Sequence, residues 1–197
     1  NKTYNSLALF DSQLNLKSLY YKNKLVPFGE FLPLESLLSK IGLRSIAHNY
    51  QSFSKGTDRD IIKIENNNFN LNILPLICYE IIFPELVQKI SSKKNIIINI
   101  SEDAWFGDSI GPYQHFSKSI FRAVESDSFV LRSANKGISA IINNKGQVIK
   151  SLKHNETGNI EYTLPILEKK GGNKNDLIFF VLLFTYGFIF LRYKKNG

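Results

Sequence analysis

The chain holds one thiol, Cys78. It stands where Leu76-Ile77-Cys78-Tyr79-Glu80-Ile81-Ile82-Phe83-Pro84 passes from an apolar strand toward a helix. A side chain at such a turn is held out at the end of a strand, and nearby backbone N–H groups and the positive helix end favour a thiolate nucleophile. A cysteine after an apolar strand is also an ordinary small core residue. Tyr79 and Glu80 shift the balance, because two polar side chains interrupting an apolar stretch are costly to bury without a purpose. A thiolate attacking a carbonyl needs a base and a donor for the oxyanion. His48, His115 and His154 lie in polar or helical settings without a shared pattern and read as surface or structural residues. A carboxylate base with a lysine near the oxyanion is the other solution. Lys22 is the candidate, because it sits in Tyr20-Tyr21-Lys22-Asn23-Lys24-Leu25-Val26-Pro27-Phe28-Gly29-Glu30-Phe31-Leu32-Pro33, where aromatic and proline neighbours partly desolvate an ammonium.

The elements that must position these residues read as an alternation. Leu7 to Phe10 and Leu14 to Tyr20 form two short strands around Asp11-Ser12-Gln13. Lys22 to Pro33 is an ordered loop, and Pro33 to Ile41, closed by Gly42, a short helix. Ser45 to Arg59 is polar and irregular. Asp60 to Ile64 and Phe69 to Cys78 are strands joined across Asn66-Asn67-Asn68; Pro75 argues for an edge or a bulge in the second. Pro84 to Lys89 starts a helix, Ile96 to Ile100 is a buried strand, and Pro112 to Val124 is an amphipathic helix with Phe116, Ile120 and Val124 at four-residue spacing. Ile138 to Ile142 and Gln147 to Leu152 flank Asn143-Asn144-Lys145-Gly146 as a hairpin. Strands alternating with helices make an α/β layered domain.

From Leu177 to Leu191 every residue is apolar, aromatic, Gly or Thr, with Arg192, Lys194 and Lys195 following. Fifteen residues fall below the usual span, but snorkelling by Arg192 and Lys194 and an interfacial Tyr193 lengthen it, so a transmembrane helix is expected over 177–193, with the positive end in the cytoplasm. Residues 171–176 then form a linker, 194–197 a cytoplasmic tail and 1–170 the catalytic domain.

The chain has 197 residues, 25 basic and 17 acidic side chains, a net charge of +8 and 43% hydrophobic content. Wholesale disorder is excluded by this composition. One cysteine excludes an internal disulfide and a Cys-rich zinc site. The basic residues scatter, so a solvated lysine-rich surface is read rather than a nucleic-acid face. A chain without methionine that begins at Asn1 reads as a piece of a longer protein.

Several of these stretches together resemble the nitrilase, or carbon–nitrogen hydrolase, superfamily: Lys22 with Leu25 to Glu30, Ile77 to Glu85, Asp103-Ala104-Trp105-Phe106-Gly107, Gly111 to Phe116, and Arg132 to Ile138. Within it they look closest to the apolipoprotein N-acyltransferases. The resemblance implies an αββα sandwich, incomplete at its N-terminus, with a Glu-Lys-Cys triad: Cys78 the nucleophile, Lys22 the lysine, and Glu30 and Glu80 supporting carboxylates. Lys24 matches no catalytic position. The general-base glutamate would precede Asn1, so the fragment alone is expected to be inactive. Glu102 departs from the family's usual Asn and puts the hydrogen bonding of its loop in doubt.

The implied reaction moves an acyl chain from a phospholipid, typically phosphatidylethanolamine, through a Cys78 thioester to the N-terminal diacylglyceryl-cysteine of an apolipoprotein. Lys22 and the Tyr79 N–H would hold the oxyanions, and Phe28, Phe31, Trp105 and Phe106 would touch acyl chains. The partners are then phospholipid, apolipoprotein and the bacterial inner membrane, with the catalytic domain periplasmic, and no cofactor or metal is expected. The rival readings are a soluble nitrilase-type amidase and a non-catalytic membrane-anchored binding fragment.

Overall fold

The computed structural model describes residues 2–33, 52–57, 61–65, 70–88, 96–165 and 175–196. The expected helix after Pro33 and His48 lie outside these residues. The chain divides into two compact units, Asn1–Pro165 and Ile166–Gly197.

The first unit opens with strands β1 (Ser6–Phe10) and β2 (Leu16–Tyr21), paired antiparallel. Asp11 makes the turn between them by accepting hydrogen bonds from the backbone N–H groups of Gln13 and Asn15, the short-side-chain device that lets the chain reverse locally. Strands β3 (Ile62–Glu65), β4 (Asn70–Ile77), β5 (Ile96–Glu102), β6 (Phe129–Asn135), β7 (Ser139–Ile142) and β8 (Val148–Leu152) then form one six-stranded sheet in that spatial order. The middle of this sheet, β4-β5-β6, is parallel, and the outer pairings are antiparallel. Residues Ile73 to Ile77 are all buried, as a strand covered on both faces requires.

Pro75 sits in an interior strand, contrary to the edge or bulge that its missing N–H suggested. Its register partner on β5 is Ile98, and β3 ends opposite Ile73, so at Pro75 the described ladder runs on one side only.

Layers cover both faces of the sheet. On one lies α2 (Gly111–Ser126), with the four-residue α1 (Glu85–Gln88) at the same core, where Leu74, Leu76, Ile81, Leu86, Ile97, Val130 and Ile142 are buried. Each such side chain removed from water is worth about 1.5–3 kcal/mol before conformational entropy is charged against it. On the other face, Leu7 and Tyr20 of the β1-β2 pair join Ile62, Ile73 and Ile77. The arrangement is an α/β/β layering, the nitrilase-like α/β architecture expected.

The helix over 112–124 forms, extended to 111–126, but with a different inner face. His115, Ser119, Arg122 and Ser126 are buried, Phe116 and Ile120 pack at the margin of the core, and Val124 is exposed. Steps of four residues advance about 400° on a helix, so over two steps Val124 has drifted roughly 80° from Phe116. The hairpin also forms: Asn143 receives the Gly146 N–H on its carbonyl and donates its own N–H to the Gln147 carbonyl, with Gly146 at a φ of 79°.

The second unit contains α3 (Asn175–Asn196). Its described side chains between Ile178 and Leu191 are apolar apart from Thr185 and Tyr186, and most are well exposed, Phe184 at 73%. Among the described residues no helix is long and apolar enough to cross a membrane. The expected transmembrane helix over 177–193 is therefore not supported: a fifteen-residue apolar run rises about 22 Å, against a hydrocarbon core of about 30 Å. The placement of Arg192, Lys194 and Lys195 across a membrane from the first unit loses its support with it.

Candidate active site

The three parallel strands end together, and their carboxyl ends hold the polar residues. In register, Leu76 lies beside Asn99, and Asn99 beside Arg132. Ligand chemistry in open α/β sheets gathers at such strand ends. Cys78 follows β4 directly and begins a short 3-10 helix, Cys78–Ile82. Its φ is 51°, a left-handed conformation that non-glycine residues adopt only where the surroundings over-determine it. The side chain is half-buried.

Glu80 supplies part of that determination. Its fully buried carboxylate accepts the Tyr20 hydroxyl (2.9 and 3.0 Å) and the backbone N–H groups of Asn23 (2.7 Å), Lys24 (2.9 Å) and Ile77 (2.8 Å). One side chain thus ties the Cys78 turn to both sides of Lys22. This answers why a charged residue is tolerated in an apolar stretch: a buried carboxylate is stable when donors saturate it.

Lys22 is itself buried, and its ammonium donates to Glu30 Oε1 at 2.7 Å. Asn5 Nδ2 donates to the same oxygen (2.8 Å), and the Val26 N–H to Glu30 Oε2 (2.8 Å). Glu30 therefore both neutralises Lys22 and closes the loop of residues 26–30. Lys24, two residues on, turns elsewhere. Its ammonium lies 3.6 Å from Glu85 and 5.0 Å above the Phe83 ring. Tyr79 is half-buried, its ring edge-on to Phe83 at 5.2 Å.

A second charged cluster lies behind Cys78. Asp103 Oδ1 accepts from Ser101 Oγ (2.6 Å) and lies 2.9 Å from His115 Nδ1, while Arg132 Nη2 donates to Asp103 Oδ2 (2.6 Å). Arg132 also donates to the Ile138 carbonyl (3.2 Å) and to Asn99 Oδ1. Asn99 Nδ2 in turn donates to the carbonyls of Leu76 (3.1 Å) and Cys78 (3.4 Å), and His115 Nε2 lies 3.3 Å from the Cys78 carbonyl. Burial opposes ionisation of Asp103, yet His115, Arg132 and Ser101 together outweigh it and hold the carboxyl down at about 2. Burial likewise pushes the Arg132 guanidinium down, opposed by Asp103 and by the nearby Cys78. His115 is thus buried structure rather than surface, while His154 lies 3.7 Å from Asp108.

Sequence reasoning did not single out Asn99, read His115 as a surface or structural residue, and quoted Asp103 and Arg132 only as members of the resembling motifs. The signal was present: an Asn inside Ile96 to Ile100 and an Arg after Phe129 to Leu131 place polar groups in central strands, where they need partners. Glu102, the departure from the family pattern, meets its loop's hydrogen bonding. It accepts the Ala104 N–H (3.1 Å) and Asn135 Nδ2 (2.7 Å), capping the 3-10 helix Asp103–Phe106. Of the expected apolar contacts, Phe28 and Trp105 are 72% and 74% exposed, Phe31 is half-buried, and Phe106 lies 5.5 Å from the His115 ring. Among the described residues no group of three His, Cys, Asp or Glu side chains is arranged to hold a metal ion.

The family model described as carbon-nitrogen hydrolase matches residues 1–166. The apolipoprotein N-acyltransferase of Allorhizobium ampelinum is 40% identical over 181 residues, which is 91% of this chain and 34% of that protein. The enzyme of the same name from Rickettsia prowazekii is 40% identical over 162 residues, 82% of this chain and 32% of that protein. The chain spans about a third of the length of these curated relatives. Two solved structures share the fold: Saccharomyces cerevisiae Nit3, of branch 10 of the nitrilase superfamily (TM-score 0.56, 19% identity, 78% of this chain and 51% of that one), and XC1258 from Xanthomonas campestris, a CN-hydrolase superfamily protein (TM-score 0.55, 19% identity, 78% and 54%).

Proposed function

Because the chain belongs to the carbon–nitrogen hydrolase family, we propose that it is the acyl-transferring portion of an apolipoprotein N-acyltransferase. The observation that carries the chemistry is the turn at Cys78 bonded through Glu80 to the loop of Lys22. The choice of a lipid substrate is supported by the names of the relatives and by an apolar helix that needs an apolar surrounding.

In this reading the Cys78 thiolate attacks the ester carbonyl carbon of a phospholipid, with phosphatidylethanolamine the donor. The tetrahedral oxyanion is held by Lys22 and the Tyr79 N–H. The ester C–O bond breaks, the lysophospholipid leaves with a proton on its oxygen, and the acyl chain stays on sulfur as a thioester. The neutral α-amine of a diacylglyceryl-cysteine then attacks that carbon and gives a proton to the general base, which had passed its own to the lysophospholipid oxygen; the C–S bond breaks, and an amide and the thiolate result. We assign the general base to neither Glu30 nor Glu80, because both oxygens of each already accept hydrogen bonds. Phe28 and Trp105, exposed and apolar, are the acyl-chain contacts in this reading, together with Phe31 and Phe106.

We place α3 in the lipid of the bacterial inner membrane, with Arg192 at the aqueous boundary, and the first unit on the periplasmic side, where a lipoprotein presents its N-terminal cysteine. The soluble amidase alternative gains no support from the curated relatives and leaves α3 unexplained. The test is Cys78→Ala in the full-length protein: transfer should cease, and unmutated protein incubated with labelled phospholipid should carry a hydroxylamine-labile acyl group on Cys78. Normal transfer by the Ala variant would overturn the mechanism.

A further inference from the structure

We propose that His115 is a positioning residue for Cys78: its Nε2 bears on the Cys78 carbonyl oxygen, while Asp103 and Arg132 fix the ring at Nδ1. The proposal rests on the reading of Cys78 as nucleophile. Its basis is what each ring nitrogen faces. Nδ1 lies 2.9 Å from Asp103 Oδ1, and Nε2 lies 3.3 Å from the carbonyl oxygen of Cys78. Nδ1 also faces Arg132 Nη2, a donor, at 3.2 Å. The Cys78 carbonyl only accepts, so the contact there is made by an N–H on Nε2.

The groups around the ring are accounted for element by element. Asp103 and the Phe106 ring come from the 3-10 helix after β5, Arg132 Nη2 comes from β6 at 3.2 Å, and the Cys78 carbonyl comes from the turn after β4. Geometrically, Asn99 Nδ2 and His115 Nε2 meet the same carbonyl oxygen, that of the residue in the left-handed conformation. A left-handed cysteine persists only where its neighbours hold it, and these two donors hold its carbonyl, as Glu80 holds the residue before it.

The experiment uses the full-length protein in three forms, unmutated, His115→Phe and His115→Gln, with Cys78→Ser as control. Steady-state acyl transfer should show kcat reduced about 10²-fold in His115→Phe with KM little changed, the size of loss that misplacing a reacting group by an ångström produces. Gln keeps an N–H donor and should recover to within about tenfold of the unmutated rate. A His115→Phe variant turning over at the unmutated rate, or a His115→Gln variant no faster than Phe, overturns the proposal. Should His115→Phe fail to fold by circular dichroism, His115→Gln decides alone: a rate within about tenfold with KM unchanged supports the positioning role, and a larger loss overturns it. Undiminished transfer by Cys78→Ser would instead sink the nucleophile assignment, whatever the His115 variants show.

Discussion

Neighbouring residues of one type take different tasks here because their partners differ. Lys22 is buried against Glu30, whereas Lys24, two residues on, reaches the half-exposed Glu85 and the Phe83 ring. Lys22→Ala should lower kcat for acyl transfer by about 10²–10³-fold, the usual consequence of losing one oxyanion donor. Lys24→Ala keeps the backbone N–H that Glu80 accepts and should stay within a few-fold of the unmutated rate; the opposite ranking would reassign the loop. Asp103 offers a test by pH. Its folded pKa lies below its ordinary value, from 3.8 to about 2, so its contribution to stability is complete above about 4 and is lost as pH falls toward 2. Urea melts at stepped pH should show the unmutated protein losing about 2 kcal/mol more than Asp103→Asn over that window. Parallel curves would show that the cluster adds nothing to the fold.

Among elements, the sharpest constraint lies where the turn between β6 and β7 meets the 3-10 helix Asp103–Phe106. A Cβ on Gly137 would stand 2.7 Å from both Cβ and Cγ of Asp103, closer than packed atoms allow, and the contact cannot relax without moving the carboxylate that His115 and Arg132 share. Gly137→Ala should therefore cost about 1–3 kcal/mol, the range for overpacking a filled interior. It should also lower transfer activity, since Asp103 reaches Cys78 through His115. Chemical denaturation read beside a kinetic assay checks both, and an Ala variant as stable as the parent would show that the turn can shift. The two strands β1 and β2 matter for a similar reason: Tyr20, on β2, meets both core and Glu80, so packing on the sheet and placement of the Lys22 loop are set by one residue.

At the scale of the molecule, α3 poses a solvation problem distinct from the chemistry. Its apolar side chains are exposed on all sides, and a helix apolar all round is stable only inside an apolar phase. In flotation with phosphatidylethanolamine-containing vesicles, the 197-residue chain should rise with the lipid, and a chain ending at Pro165 should remain below. Equal behaviour of the two would place the lipid contact in the first unit, at Phe28 and Trp105.

The sequence by itself determined two of the sheet's three central strands, since Ile96 to Ile100 and the run into Cys78 are continuous enough in apolar residues to need burial on both faces, while β6 (Phe129–Asn135) carried no such run and was read only in the structure. It also determined the hairpin at Asn143 to Gly146, and it marked Cys78, Lys22 and Glu80 as polar residues that an apolar setting leaves without another reason, while Glu30 stood out only through the family resemblance. Local chemistry decides such features, so they are legible locally. Tertiary structure alone decided what partners those residues have. Glu80 reaches residues 57 and 60 positions away, and Arg132 reaches Asn99 and Asp103 on other elements. Strand register, which no local pattern encodes, brings them together. The inward turn of His115 was decided the same way, because which side of α2 faces the sheet follows from what the strand ends require. For the Leu177 to Leu191 run, snorkelling by Arg192 and Lys194 does not make up the difference between the rise of fifteen residues and the thickness of the hydrocarbon core.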